Sequence, residues 1–173
     1  LLQKAGGKTL IQMTWERCNE SNADEVIVIT DSDEIFRHIS DLGGETFIST
    51  TSHDSGTDRV QEYAKTAGLE AQEVVINVQG DEPLIDIEAV NQLGDFMHAN
   101  KYKYGTIAQH FSSNTDLLDP NKVKVVLNDD NSAIEFFRDA PIVVKDFSKV
   151  VLHHVGIYAY QVDFLHTFAG LSK

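Results

Sequence analysis

The feature that most narrows the fold is a recurring exchange between two kinds of segment. Short unbroken runs rich in β-branched residues, Glu25-Val-Ile-Val-Ile-Thr30 and the stretch from Glu73 to Gln79, alternate with longer stretches whose apolar residues recur every three or four positions. An apolar run of that length suits a strand buried on both faces, and the longer repeat suits an amphipathic helix. Strand and helix in turn imply crossover connections and a mostly parallel sheet.

Followed along the chain, the pattern predicts a helix from Thr9 carrying Leu10, Ile11, Thr14, Trp15 and Cys18. The first strand comes next, and then a helix capped by Asp31 and Ser32 and closed by Gly43-Gly44. A strand over Glu45 to Ser49, a helix over Thr57 to Ala67, the second buried strand and a helix over Ile87 to His98 complete this half. After Tyr104 the pattern turns strand-rich, with Gly105 to Phe111, Lys122 to Asn128, Ser132 to Phe137 and Val150 to Tyr160, and it closes on a short helix from Val162 to Phe168. The expected architecture is one α/β domain over 1–173 with antiparallel strands in its second half.

Charge limits the partners. Fourteen Lys and Arg stand against 27 Asp and Glu, a formal charge of −13, and sequence-independent attachment to nucleic acid or anionic lipid needs a basic face. No apolar run approaches the ~20 residues of a membrane span, and no secretory signal pattern opens the chain. A lone cysteine, Cys18, suits a reducing cytoplasm and reads as a small core residue.

Three clusters stand at strand ends, where ligands of open α/β sheets gather. In Asn77-Val-Gln-Gly-Asp-Glu-Pro83, Gly80 allows close backbone approach and Asp81 offers hard oxygens to a Mg²⁺ ion on a triphosphate; turn-making carboxylates explain the same loop. His53-Asp-Ser-Gly-Thr-Asp-Arg59 exposes backbone N–H groups to an anion at a helix start, or is a plain Ser cap with Asp58 in the first turn. In His153-His-Val-Gly-Ile-Tyr-Ala-Tyr160, alternation puts His154, Gly156, Tyr158 and Tyr160 on one face, a site candidate, opposite an apolar face. Zinc on His153, His154 and His166 is disfavoured, since adjacent strand residues point oppositely and no cysteine partners them. Lys122 and Lys124 face phosphate or form a solvated strand edge, and Arg138 has a similarly open reading.

Together, Gly6 to Gln12 (GGKTLIQ), Ser55 to Arg59 (SGTDR), Val75 to Ile85 (VINVQGDEPLI), Asn121 to Val126 (NKVKVV) and His154 to Tyr160 (HVGIYAY) resemble the CMP-Kdo synthetase family in order and spacing. The resemblance implies a three-layer, Rossmann-like nucleotidyltransferase fold and a cytoplasmic reaction in lipopolysaccharide supply. In that reaction the anomeric hydroxyl of 3-deoxy-manno-octulosonate (Kdo) attacks the α-phosphorus of CTP and pyrophosphate leaves. It further implies Asp81 as a Mg²⁺ ligand and Gln79 as a contact between nucleotide and sugar, both at the catalytic centre. Ser55, Gly56 and Arg59 resemble the cytidine-binding turn, Arg138, His154 and Tyr158 resemble contacts to the sugar acid, and a homodimer is expected by analogy.

Two departures accompany the resemblance. The family opens with a strand and a basic Gly- and Pro-containing loop around the triphosphate, whereas Leu1-Leu2 stands where that loop should be ending. The family also continues past the position of Lys173 to a late aspartate that shares metal duty, so the domain is expected to be incomplete at both ends, with Asp81 as half a metal site. The stretch from Pro141 to Val151 is also shorter than the family's sugar-side loop. The alternatives are a non-catalytic fragment or paralogue, a binding or interaction module at most, and the same chemistry on an 8-amino analogue of Kdo or a sialic acid.

Overall fold

A computed structural model of the chain describes residues 1–53, 55–139 and 151–169. In chain order the elements are β1 (Lys4–Ala5), β2 (Lys8–Thr9), α1 (Leu10–Cys18), β3 (Ile27–Thr30), α2 (Asp33–Asp41), β4 (Glu45–Ile48), α3 (Gly56–Ala67), β5 (Val74–Asn77), α4 (Ile87–Asn100), β6 (Tyr104–Gln109), α5 (Asn114–Leu117), β7 (Lys124–Leu127), β8 (Ala133–Phe137), β9 (Val151–Gln161) and α6 (Val162–Ala169). The protein is therefore mixed α/β. Two compact units divide it, one of Leu1–Gly105 with the chain from Ile157 onward, the other of Thr106–Gly156.

In the first unit the helix boundaries follow from capping. The side chains of Thr9, Ser32, Ser55 and Asp86 accept backbone N–H groups at the starts of α1, α2, α3 and α4, each satisfying a donor with no partner inside its helix. Gly68 ends α3 in the left-handed region, at φ 69°, where a side chain would be strained. Strands β3 and β4 run parallel, from Ile27↔Glu45 to Thr30↔Ile48. Strand β5 runs antiparallel to the last residues of β9, from Val74↔Gln161 to Asn77↔Tyr158.

Helix α3 packs against both β3 and β5. Its Val60 and Ala64 form a core with Tyr160, Val162 and Leu165, against which Ile29 of β3 and Val75 of β5 also pack. A second core joins Ile11 of α1, Val28 of β3 and Ile39 of α2, with Trp15 beside it. Each such aliphatic side chain taken fully from water stabilises the fold by about 1.5–3 kcal/mol. Among the described residues β3 pairs only with β4 and β5 only with β9, so each keeps one edge without a strand partner.

In the second unit β7 lies between β8 and the first residues of β9, antiparallel to both. The expected antiparallel second half is thus present. The structure adds two elements that the apolar periodicity does not announce, the short helix α5 and the β1–β2 hairpin, which turns through Gly6 and Gly7 at φ 60° and 89°. Among the described residues no helix is long and apolar enough to cross a membrane.

Candidate functional site

Four of the residues singled out in the sequence, Gly56, Arg59, Gln79 and Asp81, line one open cavity of about 900 Å³ in the first unit. Its walls include β3 with Asp31 and β5 with Asn77, and helices α1, α3 and α4 contribute as well. Ser55, the residue before Gly56, does not line it and caps α3. The Ser55 hydroxyl accepts the Asp58 N–H at 3.2 Å and donates to the Asp58 carboxylate at 2.8 Å. The capping reading of this segment therefore holds, and it leaves Gly56 as the first helical residue. A Cβ at Gly56 would lie 3.7 Å from Nδ2 of Asn77 and 3.9 Å from Nε2 of Gln79, so the bare backbone there faces two side-chain amides.

The segment leading into this helix is tied down from α3 itself. Glu62 accepts hydrogen bonds from Nε2 of His53 at 2.6 Å, from the Ser49 hydroxyl, and from the N–H and hydroxyl of Thr50 at 3.1 and 2.8 Å. These donors, His53 first and Ser49 next, bring the Glu62 pKa down to about 2. Arg59, one turn into α3, donates from Nη2 to the Asp31 carboxylate at 2.7 Å.

The loop after β5 turns tightly, with the N–H of Glu82 donating to the carbonyl of Gln79 at 3.2 Å. A Cβ at Gly80 would come within 2.9 Å of Ile11, and the Gly80 carbonyl accepts the Thr14 hydroxyl at 3.0 Å, so α1 packs onto backbone at this point. Gln79 and Asp81 on either side are exposed. Among the described residues no group of three or more His, Cys, Asp or Glu could hold a metal ion by itself. Magnesium, however, keeps several waters and commonly binds through one or two carboxylates plus substrate phosphates, a role one exposed carboxylate can share.

The structure does not bring every candidate into that cavity. Tyr158, opposite Asn77 in the β5–β9 register, packs against the α3–α6 core and stacks with Tyr104 at 6.2 Å between ring centroids; burial raises its pKa. Tyr160 is itself a core residue, 2% exposed. The strand face expected to be open at this end of β9 is therefore covered by helices. The left-handed φ of 80° at Gly156 also interrupts the two-residue repeat, so alternation counted across it does not carry over.

In the second unit His154 is buried, its Nε2 2.8 Å from the Thr106 hydroxyl and its ring edge-on to Phe136. Desolvation, and secondarily His153, lowers its pKa. Lys122 pairs with Asp116 at 3.1 Å. Lys124, expected at a solvated edge or facing phosphate, is instead fully buried. Its ammonium donates to the carbonyls of Asp119 at 2.6 Å and Arg138 at 2.7 Å. The Arg138 guanidinium is exposed and reaches the Asn121 carbonyl only at 3.5 Å. Cys18, read as a core residue, is half-buried and lines the cavity, and burial raises its thiol pKa. The shortened stretch expected over Pro141 to Val151 lies, but for Val151, outside the described residues.

Sequence reasoning passed over Asn77, which stands inside a quoted motif, and Asp31, read only as a helix cap. A position at the carboxyl end of a buried strand was the available signal for both.

Comparison with known proteins gives a consistent result. The profile of a family described as "Cytidylyltransferase" matches residues 1–171. A 3-deoxy-manno-octulosonate cytidylyltransferase of Saccharophagus degradans is 38% identical over 96% of this chain and 71% of its own length. One from Ruthia magnifica is 35% identical over 100% of this chain and 72% of its own length. The structure of CMP:2-keto-3-deoxy-manno-octonic acid synthetase complexed with CTP superposes with a TM-score of 0.88 at 33% identity, covering 99% of this chain and 71% of that one. A cytidylyltransferase from Leptospira borgpetersenii, at 15% identity and a TM-score of 0.60, shares the fold.

Proposed function

Since the chain belongs to the cytidylyltransferase family, we propose that it transfers CMP from CTP to Kdo, forming CMP-Kdo and pyrophosphate. The observation that carries this reading is the match, at 33% identity over 99% of the chain, to a synthetase named for this product and solved with CTP. In the reaction the anomeric hydroxyl oxygen of the sugar bonds to the α-phosphorus, the bond from that phosphorus to the β-phosphate oxygen breaks, and the hydroxyl proton passes to solvent. Such a step needs positioning and charge neutralisation and little covalent help.

On this reading the cavity holds the nucleotide. Gly56 permits its close approach, the amide of Gln79 orients it beside the sugar, Ser55 fixes the helix start, and Arg59 supplies positive charge. Asp81 offers an oxygen to Mg²⁺, which when bound neutralises phosphate charge. In the second unit the exposed guanidinium of Arg138 suits the carboxylate of the sugar acid. A cytoplasmic homodimer supplying lipopolysaccharide synthesis completes the reading.

The deciding experiment is pyrophosphate release by the full-length protein with CTP, Mg²⁺ and Kdo against a control without sugar, with 8-amino-Kdo and a sialic acid as competing acceptors. Release that depends on Kdo supports the proposal; release with another acid alone reassigns the substrate, and release with none points to a non-catalytic relative. Asp81→Asn should lower turnover about a hundredfold with the fold retained. Unchanged turnover at saturating Mg²⁺ would remove the metal role.

A further inference from the structure

Among the described residues, Nε of Arg59 is the one buried side-chain nitrogen or oxygen that lacks a hydrogen-bond partner. Buried donors are nearly always paired, so an orphan on a residue that lines a ligand-sized cavity calls for an explanation. The neighbouring geometry supplies one. Arg59 engages Asp31 through Nη2 alone, at 2.7 Å, and Asp31 stands at the carboxyl end of β3 on the wall of the same cavity. Asp31 keeps 59% of its side chain exposed, and ion pairs this open to solvent contribute little to stability. A pair that does little for the fold, yet fixes a guanidinium with a donor to spare, has the form of a preorganised anchor.

We propose that Asp31 is a positioning residue for nucleotide binding. By holding Nη2, its carboxylate fixes the arginine in one rotamer on the cavity wall, and the part of the side chain that stays exposed, 26%, is left to meet an oxygen of a nucleoside triphosphate. Ordering a long side chain before the ligand arrives removes that entropic cost from the binding step. The inference rests on the reading of the cavity as the CTP site.

Calorimetric titration of CTP into the full-length protein tests it, with Asp31→Asn, Asp31→Glu and Arg59→Lys measured in parallel and thermal midpoints recorded for each. Asp31→Asn should weaken CTP binding and raise KM for CTP about three- to tenfold, with kcat and midpoint unchanged, and Asp31→Glu should restore most of the affinity. Unaltered affinity in Asp31→Asn, alongside weakened binding in Arg59→Lys, would overturn the positioning role alone. Unaltered affinity in Arg59→Lys would remove Arg59 from the nucleotide site and the proposal with it. A fall in midpoint that matches the loss of affinity in Asp31→Asn would make the pair structural and overturn the proposal too.

Discussion

Gly56 separates binding from folding at a single residue. Its φ is not in the left-handed region, and a Cβ there would meet only ordinary contacts with the amides of Asn77 and Gln79. The backbone therefore does not require glycine; the open space in front of the two amides does, if a ligand uses it. Gly56→Ala should change stability by less than about 0.5 kcal/mol while weakening CTP binding about tenfold, as denaturant melts and calorimetry on the same preparation would show. The Ser-Gly pair was legible in the sequence as a helix start. That Gly56 faces Asn77 was not, because the contact joins α3 to the end of β5, and no local pattern reports which strand end a helix start will meet.

At the scale of elements, alternation and several caps were readable because those helices carry their own start signals: Thr9, Ser32 and Ser55 stand where capping chemistry requires them, and the structure adds Asp86 before α4. Sheet order was not readable, and Lys124 shows the consequence. A lysine in a strand suggests an edge, but β7 lies between β8 and β9, so its lysine is enclosed and must find partners inside. It finds the carbonyls of Asp119 and Arg138, tying both ends of the β7–β8 segment to one ammonium. Lys124→Met keeps the aliphatic stem but removes the ammonium from both carbonyls, leaving that of Asp119 only the Lys122 N–H, and should cost about 2–4 kcal/mol in urea unfolding.

A second element-level device is acid-sensitive. Glu62 on α3 titrates near 2 in the folded chain, below the ordinary carboxylate range of an unfolded one. Its network with His53, Ser49 and Thr50 therefore contributes stability in full above about pH 4.5. That contribution falls away as the pH drops toward 2. Thermal midpoints measured from pH 6 to 2 should fall more steeply for the native chain than for Glu62→Gln, which lacks this protonation step.

Over the whole molecule two features oppose each other. Strands β3 and β5 each present an edge without a strand partner among the described residues, and both line the same cavity. Leu84 and Leu118 add apolar surface at 89% and 69% exposure. Open edges and exposed apolar side chains favour association between copies through added strand pairing. Against them stands a formal charge of −13, which makes every encounter between copies repulsive at low ionic strength. Screening acts on the second term alone: the Debye length shrinks from about 10 Å at 0.1 M salt to about 3 Å at 1 M, while edge pairing and apolar contact remain. The 173-residue chain should therefore keep one hydrodynamic size in dilute buffer and form larger species as sodium chloride approaches 1 M. Approach to its isoelectric point near pH 4.8 should act in the same direction. Light scattering across a salt series at neutral pH measures this directly. A size that stays constant to 1 M would mean that the two edges are shielded by packing, and that charge does not hold the copies apart.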